Sequence, residues 1–156
     1  LEFRRVLFRS SPEFICQALA QLKSSLLDDG NNAGTFVKDE RLKAAVLAAP
    51  GLGFAFDAES LSDVRIPIQT WSGDRDETVP SATNTDQIAK GLGTLAETHS
   101  IPNASHFSFL QPCGLIRPEP FCTDPEGFDR VAAHKAMNAE VVEFFDSHMP
   151  PSSQRN

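Results

Sequence analysis

The sequence lacks a long apolar run, an excess of basic residues and the residue spacings of common metal sites. No hydrophobic stretch approaches the roughly 20 residues that a helix needs to span a bilayer, so we expect no membrane span. The formal net charge is −7, whereas nucleic-acid binding usually needs a basic surface. No His-x-x-x-His or Cys-x-x-Cys spacing occurs. These absences argue against membrane, nucleic-acid and metal partners.

The composition is that of a folded, soluble domain. The 156 residues are 40% hydrophobic and 22% charged. That content supplies enough apolar material for one core and argues against disorder. No internal repeat or linker divides the chain, so a single domain is expected.

The first ten residues are interpreted separately from the rest. Residues 1–10 resemble the in-frame translation of a common short-read sequencing adaptor, and we set them aside as a processing scar would be. The alternative is a basic amphipathic arm for a membrane surface or a partner. Without them, 11 basic and 20 acidic residues remain, a net charge of −9. The adaptor interpretation implies that coding sequence upstream of Ser11 has been lost, with any secretion signal it held.

Three short apolar segments predict β-strands. They lie at residues 44–50, 66–72 and 95–101. The first two are typical of strands covered on both faces of a parallel sheet. Pro67 must lie near the start of its strand, because proline cannot donate to the ladder.

Helical patterns precede, separate and follow these strands. The predicted helices cover residues 12–27, 81–90 and 124–148. The second should end at Gly91 or Gly93, where a left-handed residue costs little, and the third should open with Asp124 as its N-cap. Strands that alternate with helices indicate a parallel α/β sheet. We therefore predict one α/β domain over 11–149 and a flexible tail over 150–156.

Asp76 and His106 each follow a predicted strand. Asp76 lies in the turn Gly73–Pro80, and His106 comes soon after the third strand. The carboxyl ends of parallel strands meet at one edge of a sheet, so we expect these side chains to meet there. A carboxylate that orients a histidine, and a histidine that takes a proton from serine or cysteine, are the last two members of a Ser–Asp–His relay.

Other interpretations of these residues remain open. Asp76 could be a turn aspartate that accepts hydrogen bonds from nearby backbone amides, and Asp74 is a second candidate acid. A metal site formed by Asp74, Asp76 and His106 is conceivable but disfavoured by spacing. Of the other histidines, His99 is expected to face solvent, and His134 to make a buried hydrogen bond to backbone on an apolar stripe of the last helix.

Residues 39–149 resemble the C-terminal portion of an α/β-hydrolase similar to dienelactone hydrolases. The resemblance is carried by residues 41–50, 73–80, 104–110 and 113–129. It implies that the three strands are the last of the sheet, whose N-terminal half is missing, and that Asp76 is the acid and His106 the base. It also implies a small ester or lactone as substrate, and no cofactor.

The chain departs from this family at the nucleophile. The family presents a serine or cysteine on a Gly-x-Ser-x-Gly or Gly-x-Cys-x-Gly turn, where glycines allow a tight bend. The only glycines with that spacing are Gly30 and Gly34, and Asn32 stands between them. No residue of this chain qualifies as the nucleophile, so the chain alone should be inactive, and serine or cysteine remains open for the parent. The alternative function is a noncatalytic binding or interaction domain with an α/β core.

Two further pairs of residues bear on substrate and compartment. Phe107 and Phe109 flank the proposed base and could line an acyl or ring pocket, although core packing explains them equally well. Cys113 and Cys122 bracket a proline-rich loop that a disulfide could close. A bridge there would indicate a periplasmic or secreted protein, whereas reduced thiols would fit the cytoplasm.

Overall fold

The computed structural model describes residues 39–115 and 119–149. The adaptor-like segment 1–10, the predicted helix over 12–27 and the predicted tail over 150–156 lie outside these residues.

A three-stranded parallel sheet forms the centre of the fold. Its strands are β1 (Ala45–Ala48), β2 (Ile68–Gly73) and β3 (Ala96–Ile101), in the order β1-β2-β3. The predicted set of three parallel strands is confirmed, and each strand begins one or two residues later than its apolar run. Pro67 lies just before β2, where its carbonyl accepts a hydrogen bond from the Ala45 amide at 3.1 Å.

Burial differs sharply among the three strands. All six residues of β2, the central strand, are buried. The expectation that β1 is covered on both faces is wrong for the described residues. There β1 pairs only with β2, and its side chains are half-buried or exposed.

Among the described residues, the first α-helix is α1 (Thr85–Leu92), and it covers one face of the sheet. It begins later than predicted, because a 3₁₀ turn over Ser81–Thr83 precedes it. It ends at Gly93, whose φ of 59° favours glycine. Ile88 and Leu92 pack against Ile68 of β2, and the partly buried hydrophobics around them are Ala45, Leu47, Leu61, Val64, Ile66, Leu95 and Ala96.

The last helix, α2 (Arg130–His148), starts six residues later than predicted. Its N-cap is Asp129, whose carboxylate accepts a hydrogen bond from the Ala132 amide at 3.0 Å. Asp124 forms an ion pair with Arg130 instead. The apolar stripe predicted around His134 is wrong in part, since Val131 is 64% exposed and the buried phenylalanine of the helix is Phe144. The apolar members predicted for that stripe were Phe128, Val131, Val141 and Phe145. Within the described residues, no helix has the length and apolar character needed to cross a membrane.

The opposite face of the sheet carries polar and aromatic side chains. The Trp71 and His99 rings stack with centroids 4.3 Å apart. His99 keeps 24% of its side chain exposed, so it faces solvent in part and packs against Trp71 as well. Trp71 Nε1 donates to Gln69 Oε1 at 2.8 Å, and Gln69 Nε2 donates to Glu97 Oε1 at 2.7 Å. His99 Nε2 lies 2.6 Å from the same oxygen. This hydrogen-bonded row faces α2 across a cleft of about 430 Å³.

The hydrogen-bonded row that contains Glu97 makes the free energy of unfolding depend on pH. The hydrogen bonds from Gln69 and then His99 lower the pKa of the Glu97 carboxyl. A carboxyl whose pKa is lower in the folded chain stabilises the fold above its unfolded pKa of about 4.3, and that contribution is lost as the pH falls through the folded pKa. We therefore expect the free energy of unfolding to decrease below about pH 4.3, and Glu97→Gln to flatten the decrease.

Urea unfolding between pH 3 and pH 6 measures this dependence. Glu59→Gln is the matched control, because Glu59 is an exposed glutamate outside the row. If the free energy of unfolding fell with pH at the same slope in Glu97→Gln and in the unsubstituted chain, the expectation would be contradicted.

Candidate functional site

Two turns meet at the carboxyl edge of the sheet. One leaves β2 at Gly73, and the other leaves β3 at Ile101. The Asp74 amide donates to the Ile101 carbonyl at 3.3 Å, and the Arg75 amide donates to the Ala104 carbonyl at 3.1 Å. A side chain at Gly73 would collide with the Ala104 carbonyl, so glycine is required for this approach. These contacts join the backbones of the two turns.

Asp76 is the buried acid of the first turn. Its side chain is 1% exposed. Oδ1 accepts backbone hydrogen bonds from Thr78 at 3.0 Å and Val79 at 2.7 Å, as a turn aspartate does. Oδ2 lies 2.9 Å from His106 Nδ1. The same carboxylate thus holds its own turn and engages the histidine, so the two interpretations of Asp76 are compatible.

His106 begins a 3₁₀ helix over His106–Phe109. The N-cap is Ser105, whose hydroxyl and backbone amide exchange hydrogen bonds with Ser108 in a capping box. A carboxylate can only accept a hydrogen bond, so Nδ1 carries the proton that Asp76 receives, and Nε2 is left as the basic nitrogen. The side chain is 27% exposed. Such a ring is oriented on one nitrogen and accessible, which is the arrangement of a general base.

The second candidate acid is placed differently. Asp74 is exposed, while Asp76 is buried, and only Asp76 contacts His106 within the part of the chain that the structure describes. In the same part, no group of three His, Cys, Asp or Glu residues has the geometry to hold a metal ion.

Aromatic side chains lie beside the imidazole. Phe107 packs edge-on against His106, with centroids 5.4 Å apart, and against Phe121 at 5.0 Å. Phe109 is half-buried at the end of the same 3₁₀ helix. Phe121 is 46% exposed. Sequence reasoning missed Phe121, because it lies 14 residues beyond Phe107 and only the folding of the loop brings these two rings together.

Of the two states left open for Cys113 and Cys122, the structure has the disulfide. Their Cα atoms lie 5.9 Å apart across a separation of nine residues, within the normal range for a bridge. It closes the loop that carries Phe121, so it restrains one of the aromatic side chains beside the site.

A second cavity of about 440 Å³ lies against the acid. Its lining includes Asp76 but not His106. The other polar side chains around it are Ser72, Asp74, Ser81, Asp86, Thr98, His99 and Ser100. This cavity therefore adjoins the back of the Asp76–His106 pair rather than the face of the imidazole.

The polar network behind His106 was not foreseen from the sequence. Asp124 accepts hydrogen bonds from Arg130 and from the Ser108 hydroxyl. His134 bonds the Ser108 carbonyl at 2.8 Å, as expected of a histidine satisfied by backbone. Asp124 was predicted as a helix cap, and an Asp-Pro-Glu sequence gives no sign that the helix begins further along.

Comparison of the sequence with protein-family models and with curated proteins found no match. The residues and their geometry therefore carry the functional argument.

The disulfide provides a direct test of the loop. Of the three cysteines in the sequence, we expect one thiol to react with maleimide in the denatured, unreduced chain and three after reduction. Replacing Cys113 and Cys122 by serine should lower the free energy of unfolding by about 2–3 kcal/mol, because a closed loop of this length restricts the unfolded chain. Cys16→Ser is the control. Mass spectrometry that finds three reactive thiols before reduction would contradict the bridge.

Proposed function

We propose that this chain is the C-terminal part of an α/β-hydrolase similar to dienelactone hydrolases, which cleaves a small carboxylic ester or lactone. Asp76 is the acid and His106 the base of its relay. The observation that supports this most directly is the 2.9 Å contact between Asp76 Oδ2 and His106 Nδ1. It joins a buried carboxylate to an accessible imidazole at the carboxyl edge of a parallel sheet, where α/β folds place their active sites.

The proposed reaction divides proton transfer between the two nitrogens of the ring. A serine or cysteine outside this chain attacks the carbonyl carbon, and His106 Nε2 takes its proton. Asp76 keeps the ring in the Nδ1–H tautomer and stabilises the imidazolium that forms. The imidazolium then protonates the leaving alcohol, and water releases the acyl group by the same route. These steps need no cofactor.

The anchoring of Asp76 supports a relay over a purely structural contact. Two backbone amides fix one oxygen, so the other oxygen has a set direction toward His106. The His106 side chain, by contrast, is 27% exposed. A noncatalytic binding domain would not require a rigid acceptor behind an accessible ring.

The surroundings of the imidazole favour an apolar substrate group. Phe107 and Phe121 form an edge-to-face pair beside it, and Phe109 ends the same short helix. We assign Phe107 and Phe109, together with Phe121, to the acyl or ring portion of the substrate. The Cys113–Cys122 bridge favours an oxidising compartment, periplasmic or extracellular.

The source locus and an activity assay test the proposal together. We expect the reading frame upstream of Ser11 to encode a glycine-flanked serine or cysteine between a strand and a helix pattern. In the extended protein, His106→Ala should lower kcat/KM for a nitrophenyl ester by roughly 10⁴–10⁶-fold, because the nucleophile loses its base. His99→Ala is the matched control and should retain activity. A missing elbow, or unchanged turnover in His106→Ala, would favour the binding-domain alternative.

The role of Asp76 is tested by one isosteric change. Asp76→Asn presents an amide to Nδ1 and favours the opposite ring tautomer, so kcat of the extended protein should fall by roughly 10⁴-fold with little change in KM. Asp74→Asn serves as the control for the neighbouring exposed carboxylate. Equal kcat values for the two variants would show that Asp76 is only a turn residue.

A further inference from the structure

We propose that Asp124 and Arg130 are positioning residues that hold the His106 turn through Ser108. This role rests on the proposed function, because there His106 is the base. Besides each other, Asp124 and Arg130 bond Ser108 and the Phe121 carbonyl rather than His106 in the part of the chain that the structure describes. It acts on the helical turn that carries the ring.

Ser108 connects the ion pair to the histidine turn. Its side chain is buried, and its hydroxyl accepts a hydrogen bond from the Ser105 amide at 3.0 Å. The same hydroxyl donates to Asp124 Oδ1 at 3.0 Å. Ser105 and Ser108 are the first and last members of the capping box around His106. A displacement of Ser108 therefore changes the direction of the His106 side chain.

Arg130 fixes Asp124 in turn. Its Nε lies 2.9 Å from Asp124 Oδ2 and its Nη2 lies 2.8 Å from Oδ1, a bidentate geometry. Nη1 donates to the Phe121 carbonyl at 2.9 Å. The Arg130 side chain is 5% exposed, so it cannot leave this position without leaving an uncompensated buried charge.

The start of α2 holds the turn at a second point. Arg130 and His134 are four residues apart on one side of the helix, as neighbouring turns place them. His134 Nε2 lies 2.8 Å from the Ser108 carbonyl, while Arg130 reaches the Ser108 hydroxyl through Asp124. Asp129 caps the helix, so Asp124 is not needed as a cap. Its hydrogen bonds converge on the turn that bears His106.

The ratio of the two neutral ring tautomers of His106 measures this positioning directly, so the test does not require an active enzyme. Nitrogen-15 NMR of the histidine rings in this chain, at a pH where they are neutral, distinguishes the Nδ1–H form from the Nε2–H form. In Ser108→Ala, which breaks the link and leaves the ion pair, we expect the ratio of Nδ1–H to Nε2–H for His106 to fall by about tenfold, the equivalent of one hydrogen bond. His99, bonded through Nε2 to Glu97, is the internal reference.

Ser60→Ala is the matched control, because the Ser60 hydroxyl also donates a hydrogen bond but lies outside the network. A Ser108→Ala chain that keeps its fold and an unchanged His106 ratio would overturn the proposal, whatever its melting temperature. If Ser108→Ala unfolds, Arg130→Lys decides, because lysine keeps the charge and loses the fork and the bond to Phe121. A shifted ratio in that variant supports positioning, and an unchanged ratio refutes it.

The two proposals fail in different ways. If the extended protein loses no activity in His106→Ala, the hydrolase assignment fails even when Ser108→Ala moves the tautomer ratio. If His106→Ala abolishes activity and Ser108→Ala leaves both the ratio and kcat unchanged, His106 is catalytic and the ion pair only stabilises the fold.

Discussion

The Asp76–His106 hydrogen bond depends on how closely two backbone turns approach each other. Parallel pairing of β2 with β3 brings the two strand ends to one edge, and the Arg75 amide then binds the Ala104 carbonyl. Gly73 permits this approach because it has no side chain to meet Ala104. A 2.9 Å contact between side chains 30 residues apart is thus set first by main-chain geometry. The side-chain rotamers of Asp76 and His106 then bring the two groups into hydrogen-bond contact.

The two faces of the sheet hold the strands in different ways. On the α1 face, Ile68, Ile88 and Leu92 form an apolar cluster, which stabilises through burial of surface. On the α2 face, Trp71 and Gln69 are buried but carry polar groups: Trp71 donates to Gln69 of the same strand, and Gln69 donates to Glu97 of the neighbouring strand. Because buried polar groups are costly without partners, this face fixes the register of β2 against β3 as well as their association. Correct register is what places Gly73 opposite Ile101 at the site.

Local sequence signals predicted the parts of this architecture that depend on local physics. Three apolar runs predicted the three parallel strands. The turns after the last two strands predicted that Asp76 and His106 meet. The predicted start of α2 was wrong because Asp124 and Asp129 both have the chemistry of an N-cap. In the fold, Asp124 pairs with the buried Arg130, so Asp129 is the residue that caps the helix. The stacking of His99 on Trp71 was likewise hidden, since it depends on cross-strand register. The disulfide loop brings Phe121 to Phe107, a contact that no spacing encodes.

The ion pair between Asp124 and Arg130 also raises the question of why charge is buried there at all. A buried pair stabilises weakly, and apolar residues of similar volume often do as well or better. Apolar residues, however, could not accept the directed hydrogen bond from Ser108 or donate one to the Phe121 carbonyl. The pair therefore supplies direction rather than net stability. In the proposed relay, direction matters more than stability, because a ring displaced by about 1 Å can lose a hundredfold in rate. Asp76 orients the His106 ring itself, and this network holds the turn that carries the ring.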